Sequence, residues 1–174
     1  MIREAVTEDI ESILEIVGDA QQSLKSHGID QWQNGYPNYE NILSDIEKGI
    51  GFVAIRGSEI VAYAAIIING EPEYENLDGE WLSEQDYVVI HRICVRKGHT
   101  RQGLASNLMQ KAEETALQHN ALSFKIDTHK DNRYMLDLLK KSDFIYCGEI
   151  HYPHGARIAF EKLLQPKILQ FGNA

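Results

Sequence analysis

Apolar residues along this chain recur with two periods, one near 3.6 and one of 2, and the alternation between them lays out the fold. Ile2 to Val6 reads as a short strand. Thr7 is the expected N-cap of a first helix, with Glu8 and Asp9 placed where a helix N-terminus favours negative charge. Ile10, Ile13, Leu14, Val17 and Ala20 follow at helical spacing and define a buried stripe. A polar and aromatic loop from His27 to Tyr39 carries Trp32, Tyr36 and Tyr39, and a second short helix is predicted over Tyr39 to Lys48. Phe52 to Ile55 and Ile60 to Ile68 flank Arg56-Gly57-Ser58-Glu59, which predicts two strands joined by a tight turn. Asn69 to Asp86 is polar and acidic and reads as an extended loop; Tyr87 to Val95 is apolar and β-branched enough for a central strand. Ala105, Leu108, Met109, Ala112 and Ala116 lie on one face of a predicted helix over Gln102 to His119. Strand (Leu122 to Asp127), helix (Asn132 to Lys140) and two strands (Phe144 to Ile150 and Arg157 to Glu161) complete the pattern. The order β-α-α-β-β-β-α-β-α-β-β predicts an α/β fold with a mixed central sheet.

A length of 174 residues suits one domain, expected over residues 1–164 with a C-terminal tail at 165–174, and no internal repeat divides it. With 43% hydrophobic and 25% charged residues the chain can bury a core, which excludes disorder. The longest apolar run, Ile60 to Ile68, has nine residues. A membrane span needs roughly 18–20, and the N-terminus lacks the apolar core of a signal peptide, so no membrane partner is expected. Cys94 and Cys147 form no CxxC pair, and the expectation is reduced thiols in the cytoplasm. A formal net charge of −9 argues against nucleic acid as a partner. A homodimer is admitted by the sequence and not required by it.

The charge is unevenly distributed. Between Tyr87 and Ala112 there is no acid, yet Arg92, Arg96, Lys97, Arg101 and Lys111 all occur. They surround a strand end, a turn containing Gly98 and a helix starting near Gly103. A helix N-terminus offers unpaired N–H groups and a positive dipole end, and Gly103 permits close backbone approach, so a phosphate-bearing ligand is the natural reading. It is not a Walker A loop: after Gly98 to Gly103 come Leu104 and Ala105, where Lys and Ser or Thr would be needed. No dinucleotide fingerprint is present either.

The run His91-Arg92-Ile93-Cys94-Val95, followed by Arg101-Gln102-Gly103-Leu104-Ala105, resembles the acetyl-CoA-binding motif of GNAT N-acetyltransferases, written Gln/Arg-x-x-Gly-x-Gly/Ala. Gly103 and Ala105 match; Thr100 stands at the first position, and Arg101 is the neighbouring charge. Asn132 with Met135, Leu138 and Phe144 is similar to the family's later helix and strand, with Asp143 in place of its Gly. The resemblance implies the GNAT acyltransferase fold, with helices on both faces of the sheet, and acetyl-CoA as acyl donor. It places the pantetheine arm along Ile93, Cys94 and Val95, paired by the backbone of Ile93 and Val95. The pyrophosphate falls on the segment Arg101, Gln102, Gly103, Leu104 and Ala105, and Asn132 is set against the pantetheine arm or as a helix N-cap. The implied activity is acetyl transfer to a primary amine of a small molecule or protein; a CoA-binding sensor with little turnover is the alternative.

Direct attack of an amine on the thioester needs a general base and an oxyanion donor. His91 is the candidate base, because an imidazole titrates near ~6.5 and a His occupies the similar position in some aralkylamine-acetylating members. A structural His bonded to a neighbouring element is the other reading. Period-two alternation sets His91 on the same strand face as Ile93 and Val95, and Cys94 on the opposite face as a buried thiol. The family's usual acid, a Tyr seven residues after the Asn, is Leu139 here, so no acid is assigned. His151-Tyr152-Pro153-His154 reads as a turn, and no metal site is expected. The seven acids from Glu71 to Asp86, in a stretch without Lys or Arg from Gly57 to His91, either attract a cationic amine or form a solvated loop. Trp32, Tyr36 and Tyr39 either stack on the acceptor or pack their loop down.

Overall fold

A computed structural model describes residues 1–165; residues 166–174, nearly all of the expected tail, lie outside the described residues. The chain runs β1 (Ile2–Glu4), a 3₁₀ turn (Thr7–Asp9), α1 (Ile10–Ser26), α2 (Tyr39–Glu47), β2 (Gly51–Arg56) and β3 (Glu59–Ile68). A second 3₁₀ turn (Pro72–Asn76), β4 (Asp78–Gly79), β5 (Tyr87–Val95), α3 (Leu104–Gln118) and β6 (Ser123–Thr128) follow. The last elements are α4 (Arg133–Lys141), β7 (Ile145–Tyr152) and β8 (Gly155–Leu163). The eight strands form one mixed sheet in the order β1-β2-β3-β5-β6-β8-β7-β4. Only β5 and β6 pair parallel; every other neighbouring pair is antiparallel.

Helices cover both faces, as the apolar stripes require. On one face Leu104, Leu108, Met109 and Ala112 of α3 and Leu139 of α4 pack against Ala62, Ile90, Phe124 and Ile126. On the other, Ile13, Ile16 and Val17 of α1 and Ile42 of α2 close over Val53, Tyr63 and Cys94. A third cluster of Tyr74, Val89, Ile150 and Ala159 lies further along this second face.

Three sequence expectations change. Thr7 does not cap the first helix: it opens the 3₁₀ turn, and α1 starts at Ile10. The carboxylate that organises this corner is Asp9, which accepts the Val6 N–H at 2.8 Å and pairs with both Arg3 nitrogens at 2.6 and 2.9 Å. Residues 69–86 are not a solvated loop throughout. They form a strap folded on itself by Trp81 Nε1 donating to Tyr74 O (2.9 Å) and pinned across the second face by Leu82 N–H and Ser83 Oγ donating to buried Glu161 (2.6 Å each). Lys125 Nζ seats against the rings of Trp81 and Tyr87, 4.5 and 4.7 Å from their centroids.

The third change is in β5. Tyr63 and Ala65 of β3 are two apart, but their partners Cys94 and His91 are three apart, so β5 carries one extra residue. Arg92 sits there at φ +55°. The bulge resets the alternation. Ile90, Ile93 and Val95 face α3, whereas Val89 and Cys94 belong to clusters of the opposite face. His91, two residues after Val89, shares the face of Cys94 and not that of Ile93 and Val95. The expected assignment is reversed for this pair.

Candidate active site

The parallel pairing of β5 with β6 covers only Tyr87–Val89 against Ser123–Lys125. Beyond it β5 follows β3 and β6 follows β8, so the two strands part. Ile93, Cys94 and Val95 lie in the stretch of β5 that β6 no longer pairs, which leaves an edge of unpaired backbone along the opening.

At the mouth of the opening stands the N-terminus of α3. Gly103 holds φ +79°, and a Cβ there would meet no protein atom within 4 Å. Asn107 donates to Gly103 O at 2.9 Å, while the amides of Leu104, Ala105 and Ser106 have no acceptor among the described residues. No acid lies in the first turn. Leu104 itself is buried, so this residue offers its backbone only. Gln102 braces the loop, accepting from Arg56 and donating to Gly98 O at 3.1 Å. Of the five basic residues here, Arg92 is paired with Asp45 (2.9 Å) and Arg96 with Glu15 and Glu59 (3.0 and 3.3 Å). The side-chain cations of Lys97, Arg101 and Lys111 have no carboxylate partner among the described residues, and the Arg101 guanidinium lies 5.7 Å from the Tyr134 ring centroid on α4. Asn132 caps α4, its Oδ1 accepting Met135 N–H at 3.3 Å.

On the other side of the sheet His91 Nε2 is 3.2 Å from Glu71 Oε2 of the strap, with both side chains mostly buried. Burial pushes the Glu71 carboxyl up, but the hydrogen bond and charge of His91 and the N–H of Glu73 outweigh it, so Glu71 is held below the ordinary value. Asp127 of β6 accepts Tyr74 OH (3.0 Å) and Tyr152 OH (3.2 Å) on Oδ2. Its carboxyl is held above the ordinary value by burial, against the pull of His91 and the two phenols. Arg92 stacks 5.6 Å from the Tyr36 ring centroid, and its partner Asp45 also accepts Tyr63 OH at 2.7 Å.

Of the aromatics in the loop between α1 and α2, Tyr36 therefore lies against Arg92, Trp32 packs against the α1–α2 cluster and Tyr39 stays exposed. Cys94 is buried, and desolvation pushes its thiol up to about 12, which disfavours the thiolate a nucleophile needs at neutral pH. Leu139 is fully buried, and His151 lies on β7 whereas His154 lies in the turn that leads to β8. Glu71 was visible in sequence only as one acid among seven. Asp127 was visible only as a strand terminus, an acid closing the alternating run Leu122-Ser123-Phe124-Lys125-Ile126.

Comparison with known proteins bears on this geometry. The sequence profile of the Acetyltransferase (GNAT) family matches residues 12–144. The chain belongs to the GNAT acetyltransferase family. A GNAT acetyltransferase from Streptococcus agalactiae 2603 is 32% identical, with 95% of each chain covered and a TM-score of 0.86. The uncharacterized N-acetyltransferase YesJ of Bacillus subtilis (strain 168) is 23% identical over 146 residues, 83% of this chain and 81% of that one. The PaiA N-acetyltransferase of Thermoplasma acidophilum, solved in complex with coenzyme A, is 16% identical and covers 94% of this chain and 98% of its own. Its TM-score is 0.70, a likeness of fold. GNAT proteins use acetyl-CoA, and the residues present suit it. Three free amides, an open glycine and unneutralised Arg101 fit a pyrophosphate, and the parted strands fit an amide-bearing arm. Among the described residues no helix is long and apolar enough to cross a membrane.

Proposed function

We propose that this GNAT protein transfers acetyl from acetyl-CoA directly to a primary amine within a ternary complex, with His91 as the base. The observation that carries the reading is the His91–Glu71 pair standing beside the opening between β5 and β6. The pantetheine arm would lie against the unpaired backbone of Ile93 to Val95. The pyrophosphate would rest on the first amides of α3, with Arg101 beside it. Holding thioester and amine together removes much of the entropic barrier. In the neutral His91 ring, a hydrogen bond from Nε2 to the Glu71 carboxylate leaves Nδ1 as the proton acceptor. The amine nitrogen attacks the thioester carbonyl, the C–N bond forms, the C–S bond breaks, and the amine proton passes to His91. Glu71 balances the resulting imidazolium. The thiolate takes its proton from solvent, because Leu139 is buried where the family's usual phenol would stand.

That same Leu139 favours the second reading, a CoA-binding sensor. Two measurements separate them: a thermal shift with acetyl-CoA, and release of CoA thiol across a panel of amines. Transfer predicts both signals; a shift with no release for any amine favours the sensor. His91→Ala is expected to lower kcat by about 10²–10⁴-fold and to remove the acidic limb of the pH–rate profile. A profile that keeps its acidic limb in this variant excludes His91 as the base.

A further inference from the structure

Five carboxylates turn inward from the sheet and its coverings, and four are satisfied on both oxygens. Asp9 is held by Arg3 and the Val6 amide, and Asp45 by Arg92 and Tyr63. Glu161 is held by Leu82, Ser83 and Ser123, and Glu71 by His91 and the Glu73 amide. Asp127 differs. Oδ2 takes both phenols, whereas Oδ1 accepts no hydrogen bond, and no Lys, Arg or His lies within ion-pair distance among the described residues. A half-buried carboxylate with only neutral donors on one oxygen and none on the other is an incomplete site, and its complement is a cation.

The register says where that oxygen lies. Val89 and Lys125 form the last parallel pair, and continuing two residues along each strand sets Asp127 opposite His91 across the opening. The period of 2 keeps both on the face of the strap, where Tyr36, Tyr74 and Tyr152 add aromatic walls. The reacting amine must be neutral at His91, and a carboxylate touching it would hold its proton. Asp127 therefore suits a second positive group of the same molecule, reached across the gap between the strands.

We propose that Asp127 is the specificity-determining residue of the acceptor site, and that the acceptor is an alkyl diamine or polyamine whose second ammonium docks on Oδ1. The inference rests on the transfer reading given under Proposed function. The test compares putrescine and cadaverine with n-butylamine and n-pentylamine by thiol release, in the wild type, Asp127→Asn and Asp127→Glu. Acetyl-CoA binding is measured calorimetrically in each as a check on folding.

The diamines are expected to exceed the matched monoamines about ten-fold in kcat/KM, the worth of one partly buried ion pair. In Asp127→Asn that ratio falls to near one, chiefly through KM for the diamine, and Asp127→Glu restores part of it. Monoamines used as well as diamines by the wild type, or a ratio unchanged in Asp127→Asn, overturn the assignment and leave acetyl transfer standing. Acetyl-CoA binding with no thiol release for any amine overturns the transfer reading, and the assignment with it.

Discussion

Glu71 and Asp127 flank the same cleft, and their surroundings drive them in opposite directions. Glu71 is held low because His91 and a backbone amide outweigh its burial; Asp127 is held high because burial outweighs its phenols. A carboxyl whose folded value exceeds its unfolded one keeps an extra proton in the folded state between the two values. Folding therefore weakens as pH rises through that window. Asp127→Asn is isosteric, and its amide oxygen still accepts Tyr74 and Tyr152. It is expected to raise Tm at pH 7, with the gap closing as pH falls below the ordinary carboxylate range; thermal melts at several pH values read this directly. A constant gap across pH would mean that the charge is not the source of the cost. Cys94 gives a second test. Its thiol, pushed up to about 12, should resist alkylation in the folded protein, and incubation with acetyl-CoA should leave no acetyl thioester on it by mass spectrometry. Detection of that adduct would revive a covalent route.

At the scale of elements, the helices and strands were legible because their apolar residues keep one period over many positions, as in Leu108, Met109, Ala112 and Ala116 of α3. The glycine turn before α3 was legible because a glycine and a local lack of acids are sequence properties, whereas the three amides left without acceptors there are a matter of geometry. The face presented by His91 was not, since a single extra residue at Arg92 inverts everything beyond it and leaves no mark in composition. Asp127 was invisible as a site residue because its partners Tyr74 and Tyr152 lie 53 and 25 positions away. The strap hid for the same reason: its contacts to β6 and β8 are all distant in sequence. Its middle is fixed where β4 meets β7 through facing glycines. A Cβ at Gly148 would lie 2.3 Å from Asp78 O, and one at Gly79 only 2.1 Å from Cys147 O. Gly148→Ala is expected to pry β4 from β7, costing about 1–3 kcal/mol of stability. With the strap loosened, kcat/KM for the amine should fall several-fold while the acetyl-CoA Kd stays within about two-fold. Equal losses on both substrates would mean that the strap does not serve the acceptor side.

Across the whole molecule, a net charge of −9 conceals two fields of opposite sign on opposite sides of one sheet. Near α3, the side-chain cations of Lys97, Arg101 and Lys111 have no carboxylate partner among the described residues, in a window of 26 positions, Tyr87 to Ala112, without an acid. Across the sheet, Glu71 and Asp127 stand in a cleft whose nearest guanidinium, Arg92, is already neutralised by Asp45. The arrangement would let an anionic donor and the cationic acceptor proposed above approach the parted strands from different sides without competing for the same groups. The two fields differ in exposure. The basic groups and the amides of α3 meet solvent at the mouth, where salt screens them, whereas Glu71 on the strap and Asp127 beside it are largely covered and are screened less. Raising salt from about 0.05 to 0.5 M shortens the screening length from above 10 Å to a few Å. The KM for acetyl-CoA should therefore rise steeply over that range and the KM for the amine only weakly, measured by steady-state thiol release at saturating co-substrate. The opposite order would put the exposed field on the acceptor side, and the strap would then be a cover for the sheet and not for the acceptor.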